Sequence, residues 1–528
     1  MPTDCISYQS SGYFTPIIND YLEQKESLQP FYNRFPTLEN FKAQLLEKQN
    51  FPNQNRETLV NVLKEQYQNV PASELTLQHI SLLGQANTYT VTTGHQLNLF
   101  TGPLYFLYKI VSTINLSRQL KKEYPDSHFV PVYWMATEDH DFEEINYFTY
   151  KGKKFRWNKE SSGPVGRLNT DGLDEVFKLF ALDLGPGIHA ETIKNLFTDA
   201  YLKHDNLANA TRWLANALFK DSGLVIVDAD HPSLKALFIP YVKTELLQQL
   251  SSKKVLETTE KLKDYNIQVN PRDINLFYIE DDLRERIIFE DGHFFVNNTK
   301  IKFTEAEILS ELQNHPEKFS PNVILRPLYQ EVILPNLCYI GGGGEIAYWL
   351  ELKAYFDAVN VPFPILLLRN SVLLATQKQA QKADRLGLSW ADLFLKQPHL
   401  VNKKVKEISE FPIDFTQQKD FLKKQFDHLA AIAKQTDSSF TGAVKAQETK
   451  QIKGLDNLEK RLLKAQKRKH AEQLERITDL QNDLFPNKSL QERQVNFAEF
   501  YLQNGNSLLE QLFLKLKPLE QQFDVLEF

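Results

Sequence analysis

Cysteine is almost absent from this chain: Cys5 and Cys338 are the only two among 528 residues. So few, so far apart, fit a reducing cytosol with no disulfide framework, and a cytoplasmic location is expected. Met1-Pro2-Thr3-Asp4-Cys5 lacks the basic and apolar regions of a secretory leader. Long apolar runs are also missing. Ile365-Leu366-Leu367-Leu368 is among the longest, which excludes a membrane-spanning helix. The net charge is only −6, whereas surfaces that take nucleic acid as main partner are usually strongly basic. Neither a G-x-G-x-x-G nor a Walker pattern occurs, so neither dinucleotide nor P-loop binding is indicated. Otherwise the composition is ordinary, with 42% hydrophobic and 24% charged residues, and the length allows two or three domains.

What is present centres on Thr90–Lys109. β-Branched residues suit a strand, Gly94 permits a close backbone approach, and Leu104, Leu107, Tyr108, Val111 and Ile114 recur with helical spacing. Pro103 fits the first turn of that helix, predicted to run to Lys122. His95, Gln96, Asn98 and Thr101 thus sit between a strand end and a helix start, where α/β proteins bind anions. An ordinary connection with a satisfied histidine is the plain alternative.

Phe129–Ala136 reads as a strand buried on both faces, and strand–helix–strand makes a parallel βαβ unit. It ends in Thr137-Glu138-Asp139-His140-Asp141-Phe142-Glu143-Glu144-Ile145-Asn146. Acids packed that densely repel. At the ligand edge of an open sheet they could ligate a metal, act as acid and base, or hold a substrate amine. A solvated acidic loop is the alternative, countered by the apolar bulk of Trp134 and Phe142. Further on, Leu337–Trp349 holds Gly341, Gly342, Gly343 and Gly344 between a strand and a helix, with Glu345 in its first turn. Such a loop lets a ligand lie against backbone N–H groups; the alternative is a flexible loop.

The expected class is α/β, with a Rossmann-like parallel sheet. Residues 1–146 form a helical lead-in and the first half of the core. Residues 147–220 form a first insertion, with a hairpin at Lys151-Gly152-Lys153. Residues 221–265 return to the core with a strand at Leu224–Asp230 and a helix through Leu250. Residues 266–320 form a second insertion with strands at Ile274–Ile279, Arg286–Glu290 and His293–Val296. Residues 321–376 complete the core, Pro362–Leu368 supplying its last strand. Residues 377–528 read as a helical hairpin or short coiled coil, with a/d-like spacing at Leu455, Leu458, Leu462 and Ala465. The basic run Lys464–His470 reads as a solvated helix face. Ser489 and Glu492 have capping-box spacing.

Several segments together resemble the BshC family of bacillithiol biosynthesis cysteine-adding enzymes. They are Thr93–Gln96 with Leu99–Tyr105, Pro131–Trp134 with Glu138–Asn146, Arg326-Pro327 with Gln330-Glu331, Gly341–Trp349, and Leu484–Pro486 with Gln491–Arg493. They span nearly the whole chain. His95 stands where many members carry Gln, and the four glycines replace a common Gly-Gly-Pro-Gly.

The resemblance implies a core like that of class I aminoacyl-tRNA synthetases, two connecting-peptide insertions and a C-terminal coiled coil that pairs subunits into a homodimer. It implies a ligase that joins cysteine to the amine of glucosaminyl malate; it leaves the activating nucleotide open, with ATP or ADP the candidates and magnesium a candidate ion. His95, Gln96, Asp139, His140 and Asp141 are then the expected catalytic residues, with His95 and Gln96 at the phosphate and one of the acids as base. Asn98, Thr101, Trp134, Glu138, Glu144, Asn146, Arg326, Gln330 and Glu331 are expected at the substrates, Arg326 pairing with a carboxylate. Gly94, Gly341, Gly342, Gly344, Glu345 and Tyr348 are expected at the nucleotide. No protein-held metal, nucleic acid or membrane partner is expected. The competing class is a nucleotide-binding scaffold that docks a partner through its helical hairpin. Chemistry on tRNA follows from fold analogy alone.

Overall fold

The computed structural model describes residues 5–528; residues 1–4, part of the stretch read for a leader, lie outside it. At its centre are five strands: β1 (Thr88–His95), β2 (His128–Met135), β3 (Val225–Asp228), β4 (Asn336–Gly341) and β5 (Ile365–Leu368). They pair in the order β5-β4-β1-β2-β3, all parallel. Every residue of β1 is buried, and so is every residue of β2 after His128, as helices on both faces require. The hydroxyls of Thr90 and Thr92 both donate to Asn336 Oδ1, at 3.1 and 2.8 Å, which satisfies these two hydroxyls inside β1.

The strand order locates the ligand edge. The chain runs outward from β1 through β2 to β3, then returns to place β4 on the other side of β1. The crevice beyond the carboxyl ends of β1 and β4 is therefore the topological switch point, where open α/β sheets bind ligands.

The lead-in is helical as expected, from Pro16–Leu22 to Glu74–Leu82. It is tied to the sheet by Arg56, which donates to the Thr88 carbonyl at 2.8 Å. Helix α1 (Tyr105–Glu123) links β1 to β2 and starts two residues after Pro103. The first insertion opens with the predicted hairpin, Tyr147–Tyr150 against Lys153–Arg156. After β3 the single helix expected through Leu250 is three, at Pro232–Ala236, Ile239–Gln248 and Leu250–Lys261. Pro240 fits the first turn of the second. The second insertion has five strands rather than three, adding Lys302–Phe303 and Phe319–Pro321. Helix α2 (Arg326–Ile333) precedes β4, and α3 (Gly343–Leu350) follows it.

β5 is the last strand of the central sheet, as expected, and a second, three-stranded sheet begins just beyond it. Ser371–Ala375 follows at once and pairs in parallel with Gln522–Glu527, which also pairs with Cys5–Ser7. The two ends of the chain thus meet beside the core. Between them, α4 (Thr416–Ala433) and α5 (Ser438–Lys469) form an antiparallel hairpin, cross-tied by Lys419 to Asp456 at 2.7 Å and Glu459 at 2.8 Å. Leu458, read as a seam position, is 52% exposed. The capping box at Ser489 does not form: Leu490 precedes the short turn Gln491–Arg493, and Glu492 reaches Arg369 instead. No helix among the described residues is long and apolar enough to cross a membrane.

Candidate active site

A cleft of about 1020 Å³ opens at the switch point. Gly94 and His95 at the end of β1 form part of its wall, with Tyr339 of β4, Gly342, Gly344, Glu345 and Tyr348 around the start of α3, and Trp134–His140 at the end of β2 and just beyond it. Lys109, Arg326, Arg369 and Arg493 line it too, and the second insertion adds Arg272, Arg284 and Arg286. Seven cations thus face four carboxylates, those of Glu138, Asp139, Glu144 and Glu345. A chain that is acidic overall has gathered positive charge in one crevice, which concentrates anionic ligands there.

Each group is held by local structure. Lys109 Nζ donates to the Gly94 carbonyl at 2.7 Å and lies 2.5 Å from Glu345 Oε2. Burial lowers the Lys109 pKa against the pull of Glu345. Burial works to raise the Glu345 carboxyl, but Lys109 and the hydrogen bonds from Tyr339 and the Gly342 N–H hold it below its ordinary value. His95 is 7% exposed and stacks on Tyr105 with ring centres 5.2 Å apart. Burial, with the charges of Lys109 and Arg369 nearby, pushes its pKa far down. The imidazole is therefore neutral, and its buried Nε2 has no hydrogen-bond partner.

Arg326 opens α2. Its guanidinium lies 5.5 Å from the ring centre of Tyr339, 5.8 Å from Trp134 and 6.0 Å from Trp349. It donates to Gln330 Oε1 at 3.1 Å and the Tyr348 hydroxyl at 3.3 Å. On the acidic side, Gln96 Nε2 donates to both Asp139 Oδ2 and Glu144 Oε2 at 2.9 Å. Glu138 pairs with the buried Lys235 at 2.5 Å and accepts from Ser320 at 2.7 Å. Burial nevertheless raises its pKa. His140 Nδ1 lies 2.5 Å from Arg284 Nη1; burial and that charge lower its pKa.

Two family models divide the chain between them. "Bacillithiol biosynthesis BshC, N-terminal Rossmann-like domain" matches residues 1–370, and the corresponding C-terminal coiled-coil domain matches 372–528. The chain belongs to the BshC family. The protein named "Putative cysteine ligase BshC" in Flavobacterium johnsoniae is 68% identical over the full length of both chains. That of Flavobacterium psychrophilum is 61% identical, again over both full lengths. A Bacillus cereus protein of the same name is 29% identical, over 94% of this chain and 95% of its own.

Of the residues expected at the BshC site, Gly94, His95, Gln96, Trp134, Glu138, Asp139, His140, Glu144, Arg326, Gly342, Gly344, Glu345 and Tyr348 line the cleft. The others do not. Asn98 donates to the Glu144 carbonyl at 3.3 Å. Thr101 is buried in a left-handed turn with Phe100 (φ 67° and 48°), while Asn496 holds the carbonyls of Phe100 and Gly102 at 2.7 and 2.6 Å. Asp141 is exposed outside the lining, and Asn146 is buried, its backbone carbonyl accepting the backbone N–H of Trp157 at 2.7 Å. Gln330 and Glu331 lie on the buried face of α2, where Glu331 pairs with Lys48 at 2.9 Å. Gly341 accepts the Arg369 N–H at 2.9 Å, and a Cβ there would come within 3.0 Å of Glu345 and Tyr339 side chains. The glycine run is thus a strand end and a helix start rather than a loop. Among the described residues no three histidine, cysteine or acid side chains gather as a metal site. Glu138 is engaged by Lys235 and Ser320, Asp139 and Glu144 by Gln96, and Glu143 by Arg156.

Lys109, Tyr105, Tyr339, Arg369, Arg493 and the three arginines of the second insertion were not expected there. Lys109 carried a signal: a charge within the apolar run Phe106–Val111 is buried only with a partner.

Proposed function

We propose that this BshC chain joins the carboxyl group of cysteine to the amine of glucosaminyl malate, giving bacillithiol as the last step of that thiol's synthesis. The observation that carries this is Arg326. Its guanidinium lies among three aromatic rings in the cleft, with no carboxylate within ion-pair distance among the described residues. A carboxylate of the malate portion would complete it through a two-point hydrogen bond.

The acidic side suits the amine. Asp139 and Glu144, held together by Gln96, would receive the substrate ammonium and take its proton as the amide forms. A free carboxylate is a poor electrophile, and an adenine nucleotide with magnesium supplies its activation when bound. Gly342, Gly344 and Tyr348 would hold that nucleotide. Lys109 and Arg369 supply positive charge for phosphate oxygens, and the neutral His95 contributes a hydrogen bond rather than a charge. We propose also that the α4–α5 hairpin pairs two chains into a homodimer, because Phe421, Ile432 and Leu458 are exposed along it.

Mass spectrometry of purified protein with cysteine and glucosaminyl malate tests the reaction. Bacillithiol that forms only when ATP and magnesium are added is the expected result. No product under either condition would overturn the reading.

A further inference from the structure

Arg369 and Arg493 reach the cleft from opposite sides of the boundary between the two domains. Arg369 follows β5 and is buried. Its Nη2 donates to Glu492 Oε1 at 2.7 Å and its Nη1 to Glu492 Oε2 at 3.1 Å, a two-point ion pair. Its Nε is buried and has no partner. The guanidinium also lies 5.0 Å from the ring centre of Tyr105. Glu492 belongs to the C-terminal domain, in the turn Gln491–Arg493. Gln491 anchors that turn to the strand Ser371–Ala375 by exchanging hydrogen bonds with the Leu374 backbone at 3.0 and 2.9 Å. Arg493 comes next. It lines the cleft, is exposed, and has no ion-pair partner among the described residues.

We infer that the C-terminal domain supplies the anion-binding end of the cleft, with Arg493 as a direct ligand of a phosphate or carboxylate group and Glu492 as the positioning residue that aims Arg369 beside it. The turn is anchored at Gln491, clamped at Glu492 and left open at Arg493. Anchoring of both preceding residues fixes where the Arg493 backbone stands beside the cleft, and pre-organisation of that kind favours binding. The unpaired guanidinium of Arg493, with the unpartnered Nε–H of Arg369 lining the same cleft, suits an oxyanion better than a neutral ligand. The inference rests on the ligase reading only for which anion is taken.

Isothermal titration of the full chain with inorganic pyrophosphate, and separately with malate, tests it without using turnover. The wild type is expected to bind at least one of the two, and the probe that binds identifies the source of the anion. Arg493→Gln, at an exposed position, is expected to weaken that binding about tenfold and Arg493→Lys to restore part of it, as loss of one charge-assisted hydrogen bond implies. Glu492→Asp withdraws the clamp by one methylene and is expected to weaken the same probe while leaving the enthalpy of an Arg493→Gln background unchanged in sign. Arg493→Gln that binds as the wild type does would overturn the inference, as would a wild type that binds neither probe. Absence of bacillithiol synthesis with Arg493-dependent binding intact would instead overturn the ligase reading and leave this one standing.

Discussion

Lys109 Nζ lies 2.5 Å from Glu345 Oε2 and 2.7 Å from the Gly94 carbonyl oxygen, so one ammonium joins the end of β1 to the first turn of α3. Both elements line the cleft at the switch point, α3 following directly from β4.

Lys109→Met should therefore destabilise the protein by about 3 kcal/mol, because it leaves Glu345 without its cation in a largely buried place. Lys109→Met combined with Glu345→Gln should recover much of that loss. Urea unfolding of both variants checks this; equal losses in the single and double variants would contradict it.

His95 is neutral, and its role as a hydrogen-bonding group has a kinetic consequence. Burial and the nearby Lys109 and Arg369 keep its pKa well below the ordinary 6.5, so the pH profile of kcat/KM should show no limb near that value from this residue. His95→Gln keeps a neutral polar group and should cost no more than about tenfold in kcat/KM, the order of one neutral hydrogen bond. A profile whose limb near 6.5 vanishes in His95→Gln would contradict the assignment.

Glu351 ties the second insertion to the core by accepting the Gln268 N–H at 2.8 Å, beside the cleft-lining stretch Gln268–Asn270. Burial raises its pKa from 4.5 to about 7. The folded state then binds this proton more tightly than the unfolded state. The group's contribution to stability is fully present below pH 4.5 and is lost as the pH rises to about 7. Glu351→Gln removes that dependence. The stability of the variant relative to wild type should rise across this window and level off above it, as denaturant melts at several pH values would show. A difference that does not vary with pH would refute the assignment.

Ser489→Ala should change stability by less than about 0.5 kcal/mol, the usual range for surface substitutions away from special features. The capping box that its spacing suggests is absent, since Glu492 is committed to Arg369. A loss of about 1 kcal/mol, typical of a deleted cap, would show that Ser489 caps the turn after all.

Much of the parallel core was legible because its strands are continuous apolar or β-branched runs. β1, β2 and the glycine run lie close to where periodicity and turn residues placed them. Glu138, Asp139 and Glu144 were also legible as cleft residues, since a strand end in such a sheet is a ligand edge, whereas Asp141 and Glu143 lie outside the lining. Less legible was anything that depended on distant pairing. Ser371–Ala375 is strand because Gln522–Glu527, some 150 residues away, lies beside it, and no local pattern reports that. For the same reason Glu492 read as a cap, though its partner is Arg369 in the other domain. Thr101 and Asn98 looked like ligand residues by their place in the chain. Asn496 and the left-handed turn at Phe100 and Thr101 draw that loop away from the cleft. The cations other than Arg326 were missed because they are scattered over several elements and only the fold gathers them.

The central claim, that ligation occurs at this cleft, is tested most directly by Arg326→Met in the bacillithiol assay, with thermal unfolding of the same sample. A charge-assisted contact to a substrate carboxylate is worth about 1.5–3 kcal/mol. The account therefore predicts a fall in kcat/KM of roughly ten- to a hundredfold in a protein that still unfolds cooperatively. Undiminished bacillithiol formation by a folded Arg326→Met protein would contradict it.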